Sequence, residues 1–78
     1  MKRASVLLRI FGYYVLEIPR GTLEDFLNLC LRYGFSYYSI DIDEDKRRAF
    51  IKISSWERAK ILTACRMWQI RVISASQQ

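Results

Sequence analysis

The apolar residues of this chain change their spacing along its length, alternating at every second position in some stretches and recurring every third or fourth in others. That sequence of periods dictates which elements can form and in what order. In "YYVLEI", residues 13 to 18, Tyr14, Leu16 and Ile18 share one face, and Pro19 and Gly21 end the run. This pattern is a β-strand.

Thr22 stands three residues before Asp25, the spacing at which a hydroxyl and a carboxylate cap a helix start. The spacing predicts a helix whose buried stripe is Leu23, Phe26, Leu27, Cys30 and Leu31, with Glu24, Asn28 and Arg32 facing away and Gly34 as its left-handed stop. From Tyr37 the period returns to two, with Tyr38, Ile40 and Ile42 on one face and Tyr37, Ser39, Asp41 and Asp43 on the other. The polar run "DEDKRR" turns the chain. "RAFIKI" then points Ala49, Ile51 and Ile53 inward and Arg48, Phe50 and Lys52 outward.

Ser54 and Glu57 repeat the capping spacing and open a second helix, expected to bury Trp56, Ala59, the stem of Lys60, Leu62, Cys65 and Met67 and to end near Trp68. The fourth strand is read from "QIRVISAS", residues 69 to 76, with Ile70 and Val72 inward and Arg71 and Ile73 outward. The order βαββαβ with right-handed crossovers gives an α+β fold of the ferredoxin-like class. A four-stranded antiparallel sheet then carries both helices on one face, and residues 1–78 form one domain.

Composition narrows the function. The chain has 78 residues, 51 % hydrophobic and 27 % charged, which places it in the ordinary globular class with a small core. It contains no histidine, so Ser-His and Cys-His nucleophile pairs are excluded, and its two cysteines, Cys30 and Cys65, are too few for a structural zinc. Both cysteines read as buried apolar fillers, with a disulfide between them as the alternative in an oxidising compartment. The acidic group Asp41, Asp43, Glu44 and Asp45 lacks the glycine and terminal glutamate of a calcium loop and reads as a solvated hairpin that guards an edge strand. No catalytic, cofactor or metal site is expected, and no small-molecule substrate is implied.

The N-terminal "MKRASVLLRIFGYY" has a basic start and an apolar run, but Arg9 cuts that run well short of a cleavable signal core. The formal charge of +5 suits an anionic partner, whether nucleic acid or a membrane surface. The sheet face away from the helices is the candidate partner surface, with Tyr13, Val15, Tyr37, Phe50, Lys52, Arg71 and Ile73 as its key members. Aromatics interleaved with cations on a sheet are what RNA recognition modules use for single strands. Against the third-strand pattern of those modules, "KRRAFIKI" keeps Lys46, Ala49, Phe50 and Ile51 but has Arg47, Arg48 and Ile53 at the glycine and the two outer aromatic positions. RNA binding is therefore the alternative to a protein contact. A small-molecule regulatory module of the ACT type shares the strand order, but its glycine-bearing turn matches "IPRGTLEDF" at one glycine only.

The stretch "LLRIFGYYVLEIPRGTLEDFLNLCLRYGFSYYSIDID" resembles the N-terminal segment of the stage IV sporulation protein family, the YqfD-like proteins of spore-forming Firmicutes. "FLNLC", residues 26 to 30, is its most specific part. Phe11, Gly12, Tyr13, Val15, Ile18, Gly21, Gly34, Phe35 and Ile40 also fit the family pattern, while Tyr38 stands where tryptophan is usual and Asp25 where glutamate is. The resemblance continues more loosely through the second helix to "IRVISAS". It implies a sporulation role for an N-terminal module, on the cytoplasmic side, of a membrane-anchored protein that would continue into a transmembrane helix, and it implies no known catalytic residue; the absence of histidine and of any nucleophile-base pair makes that module non-enzymatic. Protein contact or self-association, through the sheet face or an edge strand, is the role expected of such a module.

Overall fold

The computed structural model describes residues 12–77, so the N-terminal apolar run and Phe11 of the family pattern lie outside the described residues. The elements are β1 (Tyr13–Pro19), α1 (Leu23–Tyr33), β2 (Ser39–Asp43), β3 (Arg48–Ser54), α2 (Arg58–Met67) and β4 (Ser74–Gln77). One-turn 3-10 helices, Arg20–Thr22 and Ser55–Glu57, lead into α1 and α2. The four strands form one antiparallel sheet in the order β2-β3-β1-β4, and the fold is the small α+β ferredoxin-like arrangement.

The core lies between that sheet and the two helices. Leu16 and Ile18 from β1 and Ala49, Ile51 and Ile53 from β3 are fully buried, matching the alternation of the two central strands. Phe26, Leu29 and Cys30 of α1 and Ile61, Ala64 and Cys65 of α2 close over them. In α1 the buried stripe is rotated from its expected phase: Leu29 is buried, whereas Leu31 is 83 % exposed. The three-residue step from Leu23 through Phe26 to Leu29 faces the sheet, and the four-residue step from Leu27 to Leu31 drifts toward solvent. In α2 the correction is larger. Ile61 and Ala64 carry the contact, and Trp56, Ala59, Lys60 and Met67 are exposed.

Neither expected capping box forms. The Thr22 hydroxyl instead donates to the Pro19 carbonyl at 2.8 Å, because the intervening 3-10 turn supplies the first helical amides with backbone partners. Glu57 reaches across the fold, and its Oε1 accepts the Ser36 N–H at 3.4 Å in the loop before β2. Ser54 Oγ is buried with no hydrogen-bond partner among the described residues. Gly34 does cap α1, with φ of 72°, and the Phe35 N–H returns to the Cys30 carbonyl at 2.9 Å.

The fourth strand also differs from expectation. Residues 70 to 73 are an irregular connector that sinks Ile70 into the core and half-buries Val72, and the hydrogen-bonded strand is the polar "SASQ" that follows. The Ile73 N–H bonds the Glu17 carbonyl at 2.7 Å, and Ser74 pairs with the same Glu17, so a bulge sets the strand going.

Candidate functional site

The sheet face opposite the helices is assembled by alternate residues of β1, β2 and β3. Cross-strand pairing places Glu17, Phe50 and Asp41 in one row and Val15, Lys52 and Ser39 in the next. Tyr13 lies at one end of β1, and the Lys52 ammonium sits 4.2 Å above its ring. At the other end Glu17 Oε2 holds Arg48 Nε at 3.3 Å, while its Oε1 accepts the Ser74 hydroxyl at 2.9 Å. Glu17 thus ties three strands together from one carboxylate.

Of the residues expected on this face, Tyr13, Val15, Phe50 and Lys52 are brought together there. Tyr37 is not: it lines a groove against α1 with Leu27, Leu31 and Phe35. Ile73 turns to the helix side, and Arg71 is exposed on the connector before β4. Both displacements follow from the edge strands being shorter than their apolar alternation, so residues at 37 and at 71–73 follow loop geometry rather than the pleat.

Electrostatically the face is mixed. Phe50 is flanked by carboxylates on both neighbouring strands, and the two nearest cations, Arg48 and Lys52, already face Glu17 and Tyr13. Stacked bases bring phosphates with them, and these carboxylates oppose that charge. Among the described residues no three acidic or thiol groups converge as a metal-binding set. No described helix is long and apolar enough to cross a membrane.

Burial pushes the thiols up, Cys30 from an ordinary 9.0 to about 12, with further contributions from neighbouring Cys65 and from Glu57. Cys65 rises to about 11 by burial. Thiols held this strongly protonated are poor nucleophiles at neutral pH.

The second feature is the pair of sheet edges and the cleft that lies beside one of them; an edge strand is among the contact surfaces expected, the cleft is not. Among the described residues neither β2 nor β4 has an outer neighbour. β4 carries no charge and no proline, the devices that usually blunt an edge. Beside it opens a cleft of about 490 Å³, lined on one side by Leu62 and Cys65 of α2 and on the other by Ile70, Val72, Ile73 and Ala75. Arg66 stands at its rim. Its lining residues Ile70, Val72 and Ile73 belong to the stretch expected as the fourth strand.

Fold and surface together define a small ferredoxin-like α+β domain with a half-apolar sheet face and, among the described residues, an edge without an outer neighbour. No family model, no curated protein and no solved structure matches the chain.

Proposed function

We propose that this chain is a non-enzymatic protein-contact module, the N-terminal cytoplasmic part of a membrane-anchored sporulation protein, and that it works through an edge of its sheet. The observation that carries the contact role is the β4 edge: without an outer neighbour among the described residues, uncharged and bordered by an apolar cleft. Strand addition at such an edge takes affinity from main-chain hydrogen bonds and specificity from side chains entering the adjoining pocket. The sporulation setting rests on the "FLNLC" resemblance, and the charge of +5 suits a domain held near anionic lipid.

The carboxylates around Phe50 favour this reading over RNA binding. The test is a photo-crosslinking residue placed at position 75 or at position 50 in sporulating cells. The expected adduct is protein, from position 75. RNA adducts from position 50, with no protein captured at 75, would overturn the proposal.

A further inference from the structure

We infer that copies of this chain join head to tail, the β4 edge of one pairing antiparallel with the β2 edge of the next, and Ile42 of the next copy entering the cleft beside β4. This rests on the protein-contact reading and names the partner as a second copy.

Direction and backbone phase allow it. β1 runs antiparallel to both β3 and β4, and β2 antiparallel to β3, so β2 runs against β4. A copy displaced sideways in the sheet therefore presents β2 antiparallel to β4 with its helices on the same side. The Ser55 N–H bonds the Gly12 carbonyl at 3.3 Å, which fixes the phase of the β1–β3 ladder. Val15 and Glu17 then turn their backbone groups to β4, and Arg48, Phe50 and Lys52 turn theirs to β2. Their partners Ser74 and Ser76, and Ser39, Asp41 and Asp43, point inward. Ala75 on β4 and Ile40 and Ile42 on β2 are left pointing N–H and C=O out of the sheet.

Row matching allows it too. Ile40, Ile51, Leu16 and Ala75 form one cross-strand row. Continuing that row into a neighbour sets Ile40 of the next copy opposite Ala75, donor to acceptor. It also sets Ile42 of the next copy opposite Ile73, on the cleft side.

Side chains and charge select this pairing over the others. Ile42 is 45 % exposed on the helix side of β2, an apolar residue at an edge without a described neighbour to cover it, and the cleft beside β4 is apolar. The β2 end carries Asp41, Asp43, Glu44 and Asp45, of which Glu44 already pairs with Arg20 at 3.6 Å, whereas Arg66 and Arg71 flank the start of β4. Two β2 edges repel through their carboxylates, and two β4 edges bring arginines together. Only β4 with β2 sets opposite charges side by side. The interface is heterologous, so sheet twist turns successive copies into a ring or an open helical filament.

Sedimentation velocity of the purified chain and two edge variants tests this, with circular dichroism confirming that each variant is folded. Ile42→Arg puts a cation where the arginine-flanked cleft must receive an apolar side chain. Ala75→Pro removes the outward N–H of β4, and Ala75→Glu replaces it should proline perturb the strand. The parent chain is expected to sediment faster with rising concentration, each variant alone to stay monomeric, and an equimolar mixture of the two to stop at a dimer. That dimer uses the intact β4 of Ile42→Arg and the intact β2 of Ala75→Pro.

Self-association of Ile42→Arg equal to the parent's would overturn the inference in favour of β4–β4 pairing. A parent chain still monomeric at about 1 mM, where a millimolar contact is half-filled, would overturn it as well. In that case protein adducts from position 75 to a different partner would leave the contact reading standing and self-pairing refuted.

Discussion

Ile40 and Ala75 stand at opposite ends of one cross-strand row, Ile40–Ile51–Leu16–Ala75, and both turn their backbone groups out of the sheet. Ile51 and Leu16 between them are fully buried, so the row is anchored in the core while its two ends have no outer strand among the described residues. A sheet built this way is held rigidly at its centre and offers matched hydrogen-bonding groups at both edges. The carboxylates beside Ile40 and the neutral side chains beside Ala75 make those edges unlike, which turns a generic edge hazard into a directional contact.

The rotation of α1 gives a direct stability comparison. Leu29 is fully buried and Leu31 is 83 % exposed on the same helix. Leu29→Ala is expected to cost about 2–5 kcal/mol through lost burial and the cavity left behind. Leu31→Ala should stay within about 0.5 kcal/mol. Urea unfolding of the two variants measures both, and equal losses would place the stripe as the sequence spacing alone had it.

Two glycines separate backbone strain from chain entropy. Gly34 sits at φ of 72° with open space around a notional Cβ, so Gly34→Ala should lose about 1 kcal/mol from conformation alone. Gly21 has ordinary φ and equally open space, so Gly21→Ala should gain about 0.4–1 kcal/mol by restricting the unfolded chain. Thermal melts of both variants should shift in opposite directions, and a destabilised Gly21→Ala would contradict the local geometry.

The buried thiols set an alkaline limit. Because Cys30 and Cys65 are raised to about 12 and about 11 from 9.0, the folded state holds protons that the unfolded state releases. Stability from these groups is complete below pH ~9 and falls as pH rises toward those folded values, since the unfolded chain binds fewer protons there. Chemical denaturation at pH 8, 9.5 and 10.5 should give successively lower midpoints. A Cys30→Ala, Cys65→Ala chain should flatten that trend, and an unchanged slope would assign it to other groups.

The central strands were readable because both faces of their alternation are used: Leu16 and Ile18, and Ala49, Ile51 and Ile53, are inward in sequence and in structure alike. The edge strands were not. β4 is defined by the backbone groups that β1 offers, so it forms on "SASQ" with no apolar signal of its own, while the apolar 70–73 packs as a connector. The helix caps differ for a similar reason, since Thr22 ends one 3-10 turn and Ser54 precedes another, and the backbone of those turns already supplies partners to the first amides. Part of the candidate face was legible in Tyr13, Val15, Phe50 and Lys52. The cleft was not, because it arises where α2 and β4 fail to close on each other, a tertiary gap that no local pattern encodes.

Head-to-tail pairing is tested most directly by amide hydrogen exchange of the parent chain, followed residue by residue in dilute and concentrated samples. The outward amides of Ala75, Ile40 and Ile42 are predicted to slow together as concentration rises, while those of Ser74 and Ser76, already bonded to β1, stay constant. Slowing at Ala75 alone, or at none of the three, would contradict the pairing of β4 with β2.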